Sequence, residues 1–172
     1  GIYYCVLFGV MIGVGNYLFD PDGMTTRAML VSILYRMAGE PDVSELPETP
    51  FEDVGPDAWY ADAVRWAYAN EVAAGIDDTH FAPDDRLTRA QLVTMLYRAY
   101  GPEKGVRPRP IGGYTDWNTV PEWAYPAATW AVSMGLLYGT SSSQLSPNAG
   151  ANRAQLAAFM MRTCELQSEL DA

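Results

Sequence analysis

The sequence TRAQLVTMLYRAYG, residues 88–101, determines the fold because it joins a helix start to an apolar helical stripe. Thr88 is a good N-cap residue, and Gln91 follows at the spacing of a capping box. The apolar side chains that follow share one helical face: Leu92, Met95, Leu96 and Ala99. Pro83, just upstream, bars a helix and predicts a loop from Gly75 to Leu87.

This loop-then-helix pattern occurs three times. Residues 13–39, 75–101 and 139–165 align without gaps. The matching arginines lie 62 and 64 positions apart: Arg27, Arg89 and Arg153. Asn152 and Gln155 repeat the capping box, whereas repeat one keeps the Thr26 cap and has Met29, which cannot return the hydrogen bond.

The first halves of the repeats match less completely. Repeat two opens with Phe51-Glu-Asp53-Val and Trp59-Tyr60, and repeat three with Tyr114-Thr-Asp116-Trp and Trp123-Ala124. Repeat one keeps only the end of this half, where Cys5 aligns with Ala67, and it lacks the aromatic-x-Asp opening. We therefore predict repeats at 1–39, 51–101 and 114–165, with Gly- and Pro-rich linkers at 39–50 and 101–113.

These observations predict an all-α fold of three helix-loop-helix repeats. The first helices are expected at roughly 60–73 and 122–136. A two-helix unit cannot bury its apolar stripe alone, so we expect the repeats to pack as a pseudo-three-fold helical bundle. Self-association through the incomplete first repeat stays open.

Composition excludes several classes of function. The net charge of −10 argues against nucleic acid as a partner. The apolar run at residues 2–14 is too short for membrane insertion. Cys5 and Cys164 form no zinc motif, so neither a metal site nor a cofactor is expected; a disulfide and two free buried thiols both stay open.

The string FEDVGPDAWYADAVRWAYANEVAAGIDDTHFAPDDRLTRAQLVTMLYRAYG, residues 51–101, closely resembles an S-layer homology repeat, and the whole chain resembles three such repeats with the first truncated. The resemblance implies a three-repeat pseudo-trimer with grooves between repeats. It also implies non-covalent binding of secondary cell-wall polysaccharides, often carrying pyruvylated sugars, by an extracellular, non-catalytic module. The family associates the Arg of its T-R-A-E segment with ligand binding, and this role transfers to Arg27, Arg89 and Arg153.

The residues themselves lead to a compatible site. A cation at a helix start is disfavoured by the helix dipole, by about 0.3–1 kcal/mol, yet this chain places Arg there three times. A helix N-terminus favours anions, and an adjacent guanidinium completes a pocket for a carboxylate. The alternative is that each Arg pairs with a loop acid such as Asp22, Asp84 or Asp85.

Further candidates surround these arginines. Trp59 and Trp123 are expected either to line sugar-binding grooves or to pack in the core, whereas Trp66 and Trp130 are expected in the core. For Asp53 and Asp116, capping of the first helix or of a turn is favoured over ligand contact. The remaining candidates are expected to allow a tight turn or a positive φ, or to let a sugar approach the backbone: Gly13, Gly75 and Gly139.

Catalysis is not expected. The acidic pairs Asp77-Asp78 and Asp84-Asp85 fall in loops and are missing from repeat three, and His80 has no partner at an interpretable spacing. The alternative function is a helical-repeat scaffold of the cell envelope that binds protein.

Overall fold

The chain is all-α, as predicted. The computed structural model describes residues 1–16, 18–101 and 110–170, so the second predicted linker lies mostly outside the described residues. Its helices are α1 Ile2–Leu7, α2 Arg27–Met37, α3 Ala61–Ala69, α4 Arg89–Tyr100, α5 Tyr125–Ser133 and α6 Arg153–Leu170. Short 3-10 turns cover Trp117–Thr119 and Glu122–Ala124. None of the helices in these ranges has the length and apolar character needed to span a bilayer.

Each second helix begins where its cap predicts. Thr88 Oγ1 accepts from Gln91 N and Thr88 N donates to Gln91 Oε1, which closes the capping box of α4. Asn152 and Gln155 make the same reciprocal pair at the start of α6. At α2, Thr26 Oγ1 accepts from Met29 N alone.

The first helices are shorter than predicted because the chain leaves the helix early. Glu71 takes a positive φ of 57°, and the N–H groups of Val72 and Ala73 both turn back to the carbonyl oxygen of Ala67. Val72 and Ala73 thereby enter the core, where they are 3% and 2% exposed. In repeat three, a 3-10 turn and Pro126 in the first turn of α5 delay the helix start.

The described residues form two compact units, Thr25–Leu87 and Gly1–Met24 together with Thr88–Ala172. In the first unit, α2 packs on α3, with the rings of Tyr35 and Trp66 at 5.9 Å. In the second, α4 packs on α5 and α1 packs on α6. The second helix of each repeat therefore pairs with the first helix of another repeat, while the domain boundaries and the pseudo-three-fold packing stay predictions.

Both cysteines are free thiols in the structure. The Cys5 Sγ donates to the carbonyl oxygen of Ala157 at 3.3 Å, and burial raises the pKa of this thiol. Cys5 is fully buried, like Ala67, with which it aligns. Cys5 is therefore a small core residue at the packing contact between α1 and α6.

Candidate functional site

The three arginines make the same contact, each with the loop of another repeat. Arg27 donates from Nε to the carbonyl oxygen of Phe81 at 2.8 Å and from Nη2 to that of Ala74 at 2.7 Å. Arg89 donates from Nε to the carbonyl oxygen of Leu145 at 3.2 Å and from Nη2 to that of Tyr138 at 2.5 Å. Arg153 donates to Phe19 and Ile12, both at 2.7 Å.

The partners of these arginines are backbone carbonyl groups rather than loop acids. No ion pair joins Arg27 to Asp84 or Asp85, or Arg153 to Asp22, among the described residues, so the pairing alternative is wrong. The three arginine residues are 4% to 7% exposed, and burial lowers the pKa values of their guanidinium groups. Two of the five N–H groups of Arg89 are used by the carbonyls.

The three glycines hold these loops in a tight turn, but not through a positive φ. A Cβ on Gly75 would lie 2.6 Å from the carbonyl oxygen of His80, and one on Gly139 would lie 2.5 Å from that of Gln144. A Cβ on Gly13 would meet the carbonyl oxygen of Leu18 at 2.7 Å. Of the two alternatives expected for these glycines, the tight turn is the correct one, because the close approach of the backbone rather than a positive φ requires glycine here.

Asp53 and Asp116 hold the loops of repeats two and three through hydrogen bonds to the loop backbone. The two oxygens of Asp53 accept from the N–H groups of Phe81 and Ala82 at 2.8 and 2.7 Å, and those of Asp116 accept from Leu145 and Ser146 at the same distances. Neither side chain caps a first helix, so the turn-capping expectation is the correct one. Both carboxylates are therefore engaged with backbone rather than open to a ligand.

A cavity of about 160 Å³ opens beside Arg89. Gly139 and Thr140 form one side, and Gln155 and Phe159 of α6 form another. The guanidinium of Arg89 lies 5.8 Å from the centroid of the Phe159 ring. The structure thus brings two of the expected site residues, Arg89 and Gly139, to one concave surface.

The cavity also contains a second guanidinium that sequence reasoning missed. Arg162 lines the cavity, lies 4.5 Å over the Tyr138 ring and donates from Nη1 to the carbonyl oxygen of Leu136 at 3.3 Å. The signal was present, because Arg36, Arg98 and Arg162 each follow the helix-start Arg by the same interval. Two cations at one cavity give a locally positive surface on an acidic chain.

Comparison with known proteins identifies the family. The family model described as the S-layer homology domain matches residues 50–93 and 113–157, together more than half of the chain. The chain belongs to the S-layer homology family. The matched residues belong to repeats two and three and include Asp53, Asp116 and part of the cavity lining, with Arg89 and Gly139 inside the match and Phe159 and Arg162 beyond it.

The relatives of this S-layer homology chain include proteins of the bacterial surface. It is 32% identical over 91% of its length to the surface-layer 125 kDa protein of Lysinibacillus sphaericus, and 25% identical over 89% to a cellulosome-anchoring protein of Acetivibrio thermocellus. It is also 33% identical over 70% of its length to an endoglucanase of a Bacillus species. The chain spans 13%, 35% and 12% of these proteins, respectively. The surface proteins among them agree with the expected cell-surface location.

The tryptophans of these S-layer homology repeats occupy two environments. Trp59 and Trp123 are 68% and 55% exposed, so the core alternative for them is wrong. Trp130 is 2% exposed and its ring lies 5.5 Å from that of Tyr97, as a core residue should. Trp66 is half-buried at the matching position of α3.

Asp77 and His80 contact each other in the loop of repeat two. His80 Nδ1 lies 3.0 Å from Asp77 Oδ1, and this hydrogen bond raises the pKa of the exposed histidine. Asp77 also accepts from the N–H groups of Thr79 and His80, which is a local turn. The carboxylate of Asp77 therefore holds the local turn of this loop.

Proposed function

We propose that this chain is a non-catalytic module that anchors a larger protein to the bacterial cell surface by binding an anionic cell-wall polysaccharide. The observation that carries the proposal is the cavity where Arg89 and Arg162 meet Gly139, Tyr138 and Gln155. Family membership and the cellulosome-anchoring relative support the anchoring role.

A carboxylate substituent, such as that of a pyruvylated sugar, suits this cavity. Nε and Nη2 of Arg89 are fixed by backbone carbonyls, so the group is held in one orientation before any ligand arrives. A planar guanidinium binds a carboxylate through paired hydrogen bonds, and the nearby Arg162 adds charge. The Gln155 amide and the Thr140 hydroxyl offer hydrogen bonds to sugar hydroxyl groups.

We extend the same role to Arg27 and Arg153, which have equivalent backbone partners. Gly13 and Gly75 then serve the turns beside them, and exposed Trp59 and Trp123 offer ring faces for sugar stacking. Asp53 and Asp116 act indirectly by holding the loops whose carbonyls position the arginines.

Sedimentation with purified cell-wall fragments tests the proposal. The chain is expected to sediment with native fragments and to stay in solution once the polysaccharide has been stripped. Arg162→Ala should weaken retention, whereas Arg86→Ala, which removes an exposed arginine outside the cavity, should not. Equal retention on native and stripped fragments would reject the polysaccharide.

A protein-binding scaffold is the second candidate. The exposed apolar side chains of the first repeat favour it, with Phe8 64% and Leu7 61% exposed. Under this alternative the chain would sediment with stripped fragments only through a protein that remains on them, and protease treatment of the fragments would abolish retention.

A further inference from the structure

The cavity beside Arg89 contains hydrogen-bond donors that are not used within the protein. Arg89 uses Nε and Nη2 for the carbonyl oxygens of Leu145 and Tyr138, and its Nη1 has no acceptor among the described residues. Within the same residues, Arg162 donates from Nη1 to the Leu136 carbonyl oxygen, and its other N–H groups have no acceptor. Both guanidinium groups can therefore donate to a ligand in the cavity.

The capping box of α6 fixes the orientation of a third donor, the side-chain amide of Gln155. Gln155 Oε1 accepts from the Asn152 N–H at 3.1 Å, and Asn152 Oδ1 accepts from the Gln155 N–H at 2.8 Å. Because only the oxygen of an amide can accept from an N–H group, the NH2 group of Gln155 is left over. Gln155 lines the cavity, and its NH2 group has no acceptor among the described residues. The amide thus offers two further donors to a ligand.

Acidic side chains are kept away from these donors. The described residues that line the cavity include no Asp or Glu, and no ion pair within the described part of the chain involves Arg89 or Arg162. Asp116, whose charge acts on Arg89, binds the loop backbone and does not line the cavity. The cavity therefore has two positive charges and no counter-charge among its lining residues.

The presence of Gln rather than Glu at position 155 is not explained by helix stability. A capping box accepts either residue at this position, and the helix dipole favours an acid in the first turn. Yet the chain, which has 21 acidic residues, places none of them in the first turns of α2, α4 and α6, where the three arginines lie. A glutamate at position 155 would compete with an anionic ligand for the guanidinium groups. The neutral amide leaves both positive charges available to a ligand.

We propose that the Arg89 cavity binds a sugar unit that carries two negative charges, and that Gln155 and Arg162 determine this preference. The inference rests on the proposed function and specifies its ligand. A cavity of about 160 Å³ is smaller than the roughly 300–1,000 Å³ pockets that enclose whole small-molecule ligands, so both charges lie on one unit. A dianion balances the two guanidinium charges, whereas a monoanion leaves one of them unpaired. A phosphate monoester and a pair of carboxylates both meet this requirement.

Titration with small anions tests the preference at the cavity itself. The probes are acetate, which has one negative charge, and malonate and glycerol 3-phosphate, which each have two at about pH 8. The amide NMR signals of Gly139 and Thr140, which line the cavity, report binding at constant ionic strength. At least one dianion should bind about fivefold more tightly than acetate or better, and the tighter of the two identifies the source of the charge. Equal affinities for the three probes, or no shift at millimolar dianion concentrations, would overturn the proposal.

A matched pair of substitutions assigns the preference to Gln155. Gln155→Glu keeps an oxygen for the Asn152 N–H and adds a negative charge to the cavity. Dianion affinity should fall about tenfold and acetate affinity about threefold, because the Coulomb energy scales with the charge of the ligand. Gln91→Glu makes the same change in the capping box of α4, outside the cavity, and should keep the dianion preference of the parent chain. Circular dichroism checks that both variants are folded.

Arg162→Gln tests the second positive charge in the same way. It should reduce the preference for dianions over acetate by about threefold, because one of the two cations is lost. An unchanged preference in Arg162→Gln or in Gln155→Glu would overturn the proposal. A chain that sediments with native cell-wall fragments but shows no dianion preference would keep the proposed function and reject this inference. Dianion preference without sedimentation would support the assignment of the cavity and reject the anchoring role.

Discussion

Nε of Arg153 donates to the carbonyl oxygen of Phe19 at 2.7 Å, although the two residues are 134 positions apart in the chain. The same guanidinium lies 4.7 Å over the Phe19 ring and reaches the Ile12 carbonyl oxygen through Nη2. The helix of repeat three is thereby joined to the loop of repeat one. Each helix-start arginine is thus a structural residue as well as a candidate ligand contact, so its substitution has to be measured for stability and binding separately.

Arg153→Ala should destabilise the chain by about 2–3 kcal/mol, because two partly buried hydrogen bonds from a charged donor are lost. Arg153→Lys should lose less, since the ammonium can still donate to one of them. Urea denaturation gives the free energy of unfolding. Arg86→Ala, at an exposed arginine, should stay within about 0.5 kcal/mol of the parent chain. An unchanged midpoint for Arg153→Ala would mean that these hydrogen bonds do not stabilise the fold.

Gly139→Ala should destabilise the chain by about 1–3 kcal/mol, because the new methyl group meets the carbonyl oxygen of Gln144 and the ring of Tyr114. Gly112→Ala is the matched control, since a Cβ there meets open space. Thermal unfolding of both variants checks the comparison. Equal melting temperatures would show that the loop shifts to admit a side chain.

The stability of the chain should depend on Asp116 in a pH-dependent way. Its hydrogen bonds with the Leu145 and Ser146 N–H groups hold the pKa of Asp116 below its ordinary value of 3.8. The carboxylate therefore stabilises the folded chain above pH 3.8, and this contribution is lost as the pH falls through the lowered pKa. The difference in urea midpoint between the parent and Asp116→Asn should be largest near neutral pH and shrink in acid. A difference that does not change with pH would contradict this role.

The exposed tryptophans should matter to binding but not to folding. Trp123→Ala should change the free energy of unfolding by less than about 0.5 kcal/mol, because its side chain is largely in solvent. Trp130→Ala should lower the free energy of unfolding by about 3–5 kcal/mol, because this side chain is buried in the core. Retention on native cell-wall fragments is then measured for Trp123→Ala and Trp59→Ala. Full retention of both variants would remove these rings from the site.

The second helices could be predicted from the sequence because their signals are local. Thr88 with Gln91, and Asn152 with Gln155, contain both halves of each capping box within four residues. The ends of the first helices could not be predicted in this way. Val72 and Ala73 leave α3 to reach the core, and their apolar character fits a longer helix equally well.

The sequence indicated which residues belong to the candidate site. It did not indicate which groups those residues contact. The spacing of Arg27, Arg89 and Arg153 marked them as a set, but their acceptors are carbonyl groups, which every residue carries. Asp53 and Asp116 accept from the N–H groups of Phe81 and Leu145, which lie 28 and 29 positions further along the chain. No local motif spans such a separation. Arg162 had a repeated spacing as its only signal, and its place in the cavity follows from the packing of α6.

A charge swap at Thr140 tests the central proposal, that an anionic group of the wall polysaccharide binds in the Arg89 cavity. Thr140 is exposed at the edge of that cavity and is not part of the core, so both variants should fold. We measure the affinity of Thr140→Glu and Thr140→Lys for the purified native polysaccharide. Thr140→Glu should bind about fivefold more weakly or less, and Thr140→Lys as well as the parent chain or better. Equal affinities for the two variants would contradict the account.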